Sequence, residues 1–222
     1  MALTRDQIIS TVLTRAGNRS NDAVLTAAAK TEIVLVQSEL ESEPFLPWFI
    51  ISTEQTFTIT SGDPNITLPS DFLREYEDED MWYYNASSSP TKKKLEKMDI
   101  DDMTQWLRST EANEPRAYAI VGGQMILGPV PNDAAALGSI KTRYYQRANV
   151  LSDLVSTNAW TLNADWLLVN RLGELMATQY IRDKVLGDAF AERAKMAYAK
   201  IIAAHVAREQ ANRRAQMGGN DR

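Results

Sequence analysis

The sequence predicts an α+β protein: a helical bundle built from both chain ends, residues 1–48 and 151–222, with an antiparallel β-rich domain, residues 49–150, inserted between them. Three observations predict it. Apolar residues recur at helical spacing near both termini, the period falls to two in the middle, and turn-forming Gly, Pro, Asn and Asp crowd into that middle block. A terminal helix cannot bury its own apolar stripe, so the two ends are expected to meet and the middle block to project from a helical base. Such a shape suits a protein that bridges two neighbours better than one that encloses a substrate.

Thr4-Arg5-Asp6-Gln7 is a capping box, in which the Thr4 hydroxyl and the Gln7 amide satisfy free backbone donors. Ile8, Ile9, Val12, Leu13 and Ala16 follow at helical spacing, and Gly17 ends that helix. Asn21 is expected to open a second, longer helix with Val24, Ala27, Ala28, Val34 and Leu40 among its apolar positions. It must stop before Pro44, because the residue before a proline is pushed out of the helical region.

The β pattern begins with Thr56, Phe57, Thr58, Ile59 and Thr60, turns at Ser61-Gly62-Asp63-Pro64-Asn65, and resumes at Ile66-Thr67-Leu68. Met81-Trp82-Tyr83-Tyr84 is a further strand, Ser87-Ser88-Ser89-Pro90 a loop, and Lys92-Lys93-Lys94 an exposed loop or interface segment. A short helix from Asp99 to Arg108 carries Ile100, Met103 and Leu107 on one side, with Asp99, Asp101 and Asp102 capping it. The clearest hairpin runs from Tyr118 to Leu127. Its Gly122-Gly123 pair tolerates the positive φ angles of a two-residue turn, pairing Ile120 with Met125 and Tyr118 with Leu127 on one apolar face. Ile140, Thr142 and Tyr144 alternate with Lys141 and Arg143 as a last strand.

Helical spacing returns with Leu167, Leu168, Leu172, Leu175, Met176 and Gln179. Gly187 is expected to break that helix and Asp188 to cap a final one carrying Phe190, Ala194, Ala197, Tyr198, Ile201 and Ile202. Gly218-Gly219-Asn220 reads as a frayed end.

Composition narrows the chemistry. There is no cysteine among 222 residues, which excludes disulfides, zinc–thiolate sites and thiol catalysis and suits folding in a reducing cytoplasm. Arg5 and Asp6 stand where a signal peptide would place its apolar region, so secretion is not expected. No apolar run approaches the ~20 residues that cross a bilayer. A net charge of −5 argues against nucleic-acid binding by the whole surface. The charge is uneven, however. Asp71, Glu75, Glu77, Asp78, Glu79 and Asp80 concentrate acid in the insert, and Arg193, Lys195, Lys200, Arg208, Arg213, Arg214 and Arg222 make the C-terminal end basic. The acid run lacks the spacing and glycine of a calcium loop, and its plainer reading is a solvated or channel-facing surface. His205, the single histidine, reads as structural or solvated rather than catalytic. No acid, base and electrophile assemble, so no enzymatic activity and no cofactor or metal are expected.

The order of motifs carries more. Leu68-Pro69-Ser70-Asp71-Phe72-Leu73 is followed by the aromatic strand Met81 to Tyr84, by Glu114-Pro115-Arg116-Ala117-Tyr118-Ala119-Ile120, and by the Gly-Gly turn. Ile126-Leu127-Gly128-Pro129-Val130-Pro131, Arg143-Tyr144-Tyr145, Leu151-Ser152-Asp153 and Thr157-Asn158 complete the series. This order, within a helix–β–helix frame, resembles the head-to-tail adaptor proteins of tailed bacteriophages, of the tail tubular protein A or gatekeeper kind.

The resemblance implies a structural virion protein at the neck, made in the host bacterial cytoplasm and assembled as a dodecameric ring beneath the portal protein. It implies a C-terminal segment reaching into the portal, a β portion pointing to the tail nozzle or tail-tube protein, and genomic DNA passing through without sequence-specific binding. Portal docking is then expected of Lys200, Ile201, Ile202, Val206, Arg208, Arg213 and Arg214, with Arg213 onward ordering only on assembly. Glu75, Glu77, Asp78, Glu79 and Asp80 are expected to face the channel or the tail. The basic C-terminal helix leaves one alternative of another class, an intracellular DNA-binding or regulatory module.

Overall fold

The structure, a computed structural model, describes residues 2–76, 81–85, 92–135 and 138–218, with the side chains of 109 and 212–218 outside that set. In chain order the elements begin with α1 (Arg5–Arg15), α2 (Ala23–Ser42) and a 3-10 turn at Trp48–Ile50. Strands β1 (Gln55–Thr58), β2 (Asn65–Thr67), β3 (Phe72–Glu75), β4 (Trp82–Tyr84), β5 (Lys92–Lys94) and β6 (Glu96–Lys97) lead to α3 (Ile100–Ser109). Strands β7 (Ala117–Val121), β8 (Gln124–Gly128), β9 (Ser139–Thr142) and β10 (Tyr144–Gln146) follow. The chain closes with α4 (Ala159–Asn163), α5 (Asp165–Leu175), a π-helical turn at Met176–Ile181 and α6 (Lys184–Gly218). This is an α+β fold. It divides into two compact units, Met1–Ile50 with Ala148–Arg222, and Ile51–Arg147.

In the helical unit the Thr4–Gln7 capping box forms in both directions. The second helix is capped by Asp22 rather than Asn21: the Asp22 Oδ1 accepts from the backbone amides of Val24 and Leu25 at 3.0 Å each, and a carboxylate is favoured at the positive end of a helix dipole. Helix α5 packs on α1, α2, α4 and α6. Ile8, Val12, Leu13, Ile33, Leu168, Leu172 and Phe190 are all buried. The break before α6 falls at Arg182, whose φ of 59° is left-handed, and Asp183 caps α6 through the Leu186 amide at 3.0 Å. Gly187, expected to be the breaker, lies inside the helix. A Cβ there would come 2.5 Å from Thr178 Cγ2, so its role is close packing, which outweighs the ~1 kcal/mol propensity cost of a helical glycine. Gly173 does the same for the Phe190 ring, whose Cδ1 would lie 2.6 Å from an added Cβ.

A buried polar cluster joins distant segments of this unit. Gln37 Nε2 donates to the Ala148 carbonyl and to Glu41 Oε1 at 3.0 Å each, and Asn158 Nδ2 donates to Gln37 Oε1 at 2.9 Å. Glu41 Oε1 also accepts from the Ala148 amide at 3.0 Å and from Trp160 Nε1 at 3.2 Å. Because buried polar groups must be partnered, this set fixes where the returning chain meets α2.

The β-rich unit holds sheets ordered β1-β9-β4-β5 and β2-β8-β7-β6 and the pair β10-β3 among the described residues. The hairpin register pairs Ile120 with Met125 and Tyr118 with Leu127, around glycines with φ of 57° and 78°. Tyr118, Met125 and Leu127 pack with Phe57, Ile66, Tyr83 and Ile140 in the main core. The opposite hairpin face, Ala117, Ala119 and Ile126, receives α3 through Met103, Trp106 and Leu107. Among the described strands all pairings but one are antiparallel. The exception is β6 on β7, parallel at Glu96–Ala117 and Lys97–Tyr118, made possible by the α3 crossover between them. Asp99 occupies the N-cap of α3 without a side-chain bond, leaving Asp101 and Asp102 as the acids of its first turn. Lys92–Lys94 forms strand β5 rather than a loop, because its backbone pairs with β4 while its side chains stay exposed.

Candidate interaction surfaces

Helix α6 is 35 residues long, and one seam of it faces its own unit. Phe190, Ala194, Ile201 and His205 are buried at spacings of four and seven, and the 5% exposure of His205 removes it as a solvent-facing group. Its Nε2 lies 2.6 Å from Glu209 Oε1 and its ring meets Phe45 edge-on at 4.9 Å. Arg208 stacks over Trp48 at 5.1 Å. Of the predicted docking residues, Ile201 and Arg208 are therefore engaged within the chain, and Ile202 is half-buried. Lys200 is exposed and Val206 is 42% exposed, both open to a partner. The backbone helix continues past Arg213 and Arg214 to Gly218, although their side chains lie outside the described ones. Gly219 and Asn220 lie outside the described residues.

Of the predicted acidic run, Glu75 ends β3, takes an ion pair from Lys97 and accepts from the Tyr118 hydroxyl at 2.5 Å. Both of these partners lie inside the β-rich unit. Glu77, Asp78, Glu79 and Asp80 lie outside the described residues. Asp71 accepts from the Tyr144 hydroxyl at 3.0 Å, and burial together with this bond and the carboxylate's charge pushes that hydroxyl up to about 12. Among the described residues no three His, Asp or Glu side chains cluster as a metal would need, and no described helix is long and apolar enough to cross a membrane.

Three exposed features stand out, of which the sequence singled out only the lysines of the first as an exposed or interface segment. The first is a lysine-rich sheet face, where Lys92 sits 3.9 Å above the Trp82 ring and Lys141 4.9 Å above Tyr84. The second is an open groove of about 660 Å³ in the helical unit, lined by Arg15, Trp166, Arg193, Met196 and Lys200 among others. Arg15 stacks 4.6 Å over Trp166, which is 48% exposed, and Met196 is 58% exposed. The third is a tight turn at Ser152–Val155, closed by reciprocal backbone bonds of 3.0 and 3.2 Å and tied to α1 by the Arg5 amide on the Ser156 carbonyl at 2.8 Å. Arg5 is itself buried and pairs with Asp6 and Asp153. Hydrogen bonds from Arg5 and Lys30 hold the Asp153 carboxyl below its ordinary range. At the tip, Leu154 is 97% exposed. Periodicity could not reveal these features, since it marks faces that are buried and says nothing of which apolar side chains are left out.

Likeness to known proteins is the sharper guide to what these surfaces serve. The sequence model of the SU10 adaptor protein family matches residues 4–222, which takes in both units. The chain belongs to the SU10 adaptor protein family. That makes it a structural adaptor protein of a phage. The curated proteins contain no match to it. The family match covers both the motif series Leu68 to Asn158 and the helices on either side of it.

Proposed function

We propose that this chain is the head-to-tail adaptor of the virion: a non-enzymatic protein that assembles as a dodecameric ring, joins the portal to the tail and forms part of the DNA channel. The observation that carries the reading is the family match across 219 of the 222 residues, counted from 4 to 222, which makes the whole chain an adaptor rather than a carrier of one adaptor-like piece. The helical unit serves as the base, and the distal part of α6, with Lys200, Val206, Arg213 and Arg214, reaches the portal. The β-rich unit serves the tail nozzle or tail tube, and genomic DNA passes without sequence-specific contact.

The test is a chain ending at Ala211, which keeps Arg208 on Trp48 and Glu209 on His205. It should keep its fold but no longer co-sediment with portal, whereas the full chain forms portal-bound rings visible by negative-stain microscopy. Portal binding equal to that of the full chain would move the docking contact elsewhere. The acidic segment has its own test. Exchanging Glu77, Asp78 and Glu79 for lysine should raise DNA affinity in a salt-dependent way if the run borders the passage. An unchanged affinity would place it away from DNA.

A further inference from the structure

Two features of the helical unit are incomplete as they stand. The Leu154 side chain is 97% exposed, yet it is held at the tip of a turn with two reciprocal backbone bonds, and Val155 also donates to Ser152 Oγ at 3.1 Å. A rigid turn that presents a bare apolar side chain has already lost the conformational freedom that binding would remove. The groove has the opposite character. Its Trp166, Met196 and Arg15 are of the residue types that concentrate at interface centres, and exposed apolar surface rimmed by charge marks an interaction site. Among the described residues Arg193 and Lys200 make no ion pair.

We infer that the Leu154 turn of one copy seats in the Trp166–Met196 groove of the next copy. Three observations select a second copy as the occupant. The turn is fastened to Arg5 and the groove contains Arg15, the two ends of an 11-residue helix about 16 Å long, so one chain cannot seat its own turn in its own groove. The charges match: Asp153, beside Leu154, is 76% exposed and accepts its hydrogen bonds from Arg5 and Lys30 at Oδ1, leaving Oδ2 for Arg193 or Lys200. The shapes match as well, one convex and apolar, the other concave with an aromatic wall. Two different patches meeting head to tail form a heterologous interface, which repeats from copy to copy and closes into a ring when the rotation allows. The inference rests on the ring reading above and specifies its contact.

Because the chain has no cysteine, disulfide trapping reads this contact directly. Leu154→Cys and Met196→Cys, both at exposed positions, are prepared as separate full-length proteins and oxidised alone and as a mixture, with and without portal. The expected result is a mixed-disulfide dimer as the main covalent product of the mixture, absent from either protein alone. Adding Arg193→Glu and Lys200→Glu to the groove partner should reduce its yield several-fold. A disulfide dimer of Leu154→Cys alone, or no cross-link in the mixture under either condition, overturns the inference. Failure to cross-link while portal still co-sediments would leave the adaptor reading standing. Cross-linking without portal binding would do the reverse.

Discussion

The two units close by different means. The β-rich unit is one continuous stretch, and its tightest element is a hairpin whose strands are joined by two residues, Gly122 and Gly123. The helical unit is discontinuous. Arg5 finds Asp153 across 148 positions, and Gln37 finds Ala148 across 111. Closing long loops costs entropy before any contact repays it, so the helical unit depends on the inserted stretch being ordered, while the β-rich unit has no such dependence. Damage should therefore spread unequally: a lesion in the β-rich unit should reach the helices, and a lesion in the helices should leave the β-rich unit formed.

The largest expected effect tests the second half of that statement. Leu172→Ala removes a fully buried side chain from α5 and should cost about 2–5 kcal/mol of the helical unit's stability. Hydrogen exchange should show lost protection in α1, α2, α5 and α6, with protection kept in β7 and β8. A loss shared by both units would show that the two unfold together.

Alkaline titration probes the β-rich unit. The Tyr144 hydroxyl, buried and donating to Asp71, is raised from 10.0 to about 12. Its neutral form is the one the fold favours, so its stabilisation, on the order of 2–3 kcal/mol, is full below pH ~10 and is lost as pH rises through about 12. Tyr144→Phe should flatten that part of the stability profile. An unchanged profile would show that another group sets it.

A smaller effect is expected at the hairpin turn. Nothing lies within 4 Å of a Cβ added at Gly123, whose φ is 78°. Gly123→Ala therefore measures backbone strain alone, roughly 1–2 kcal/mol. It should slow folding of the hairpin and, if the helical unit waits on the insert, of the helices too. The smallest effect belongs to the chain ending at Ala211. It should change stability by less than about 0.5 kcal/mol, the range of surface changes, as read by thermal denaturation.

Much of the fold was legible because it follows short rules. The capping box at Thr4, the stop before Pro44 and the glycine hairpin with its register all rest on local geometry that no distant residue overrides. The failures share a cause as well. Gly187 looked like a breaker because its value lies in admitting Thr178, a tertiary contact with no local sign. The lysines of β5 lacked strand propensity, yet pairing with Trp82, Tyr83 and Tyr84 decides their backbone. Ile201 read as a docking residue because an amphipathic stripe does not say which partner covers it, and here the unit itself does. The groove and the Leu154 turn were invisible for the same reason: exposure is a property of the folded surface.

The lysine strand also bears on what happens when many copies are held side by side. In its sheet β5 is the outermost strand among the described residues, and Lys92, Lys93 and Lys94 are all exposed. An unprotected edge is a template for pairing with its own image, a hazard that grows as identical edges are crowded together. Lysines along an edge discourage such pairing, although here Lys93 also takes Glu114 as an ion-pair partner within its own unit.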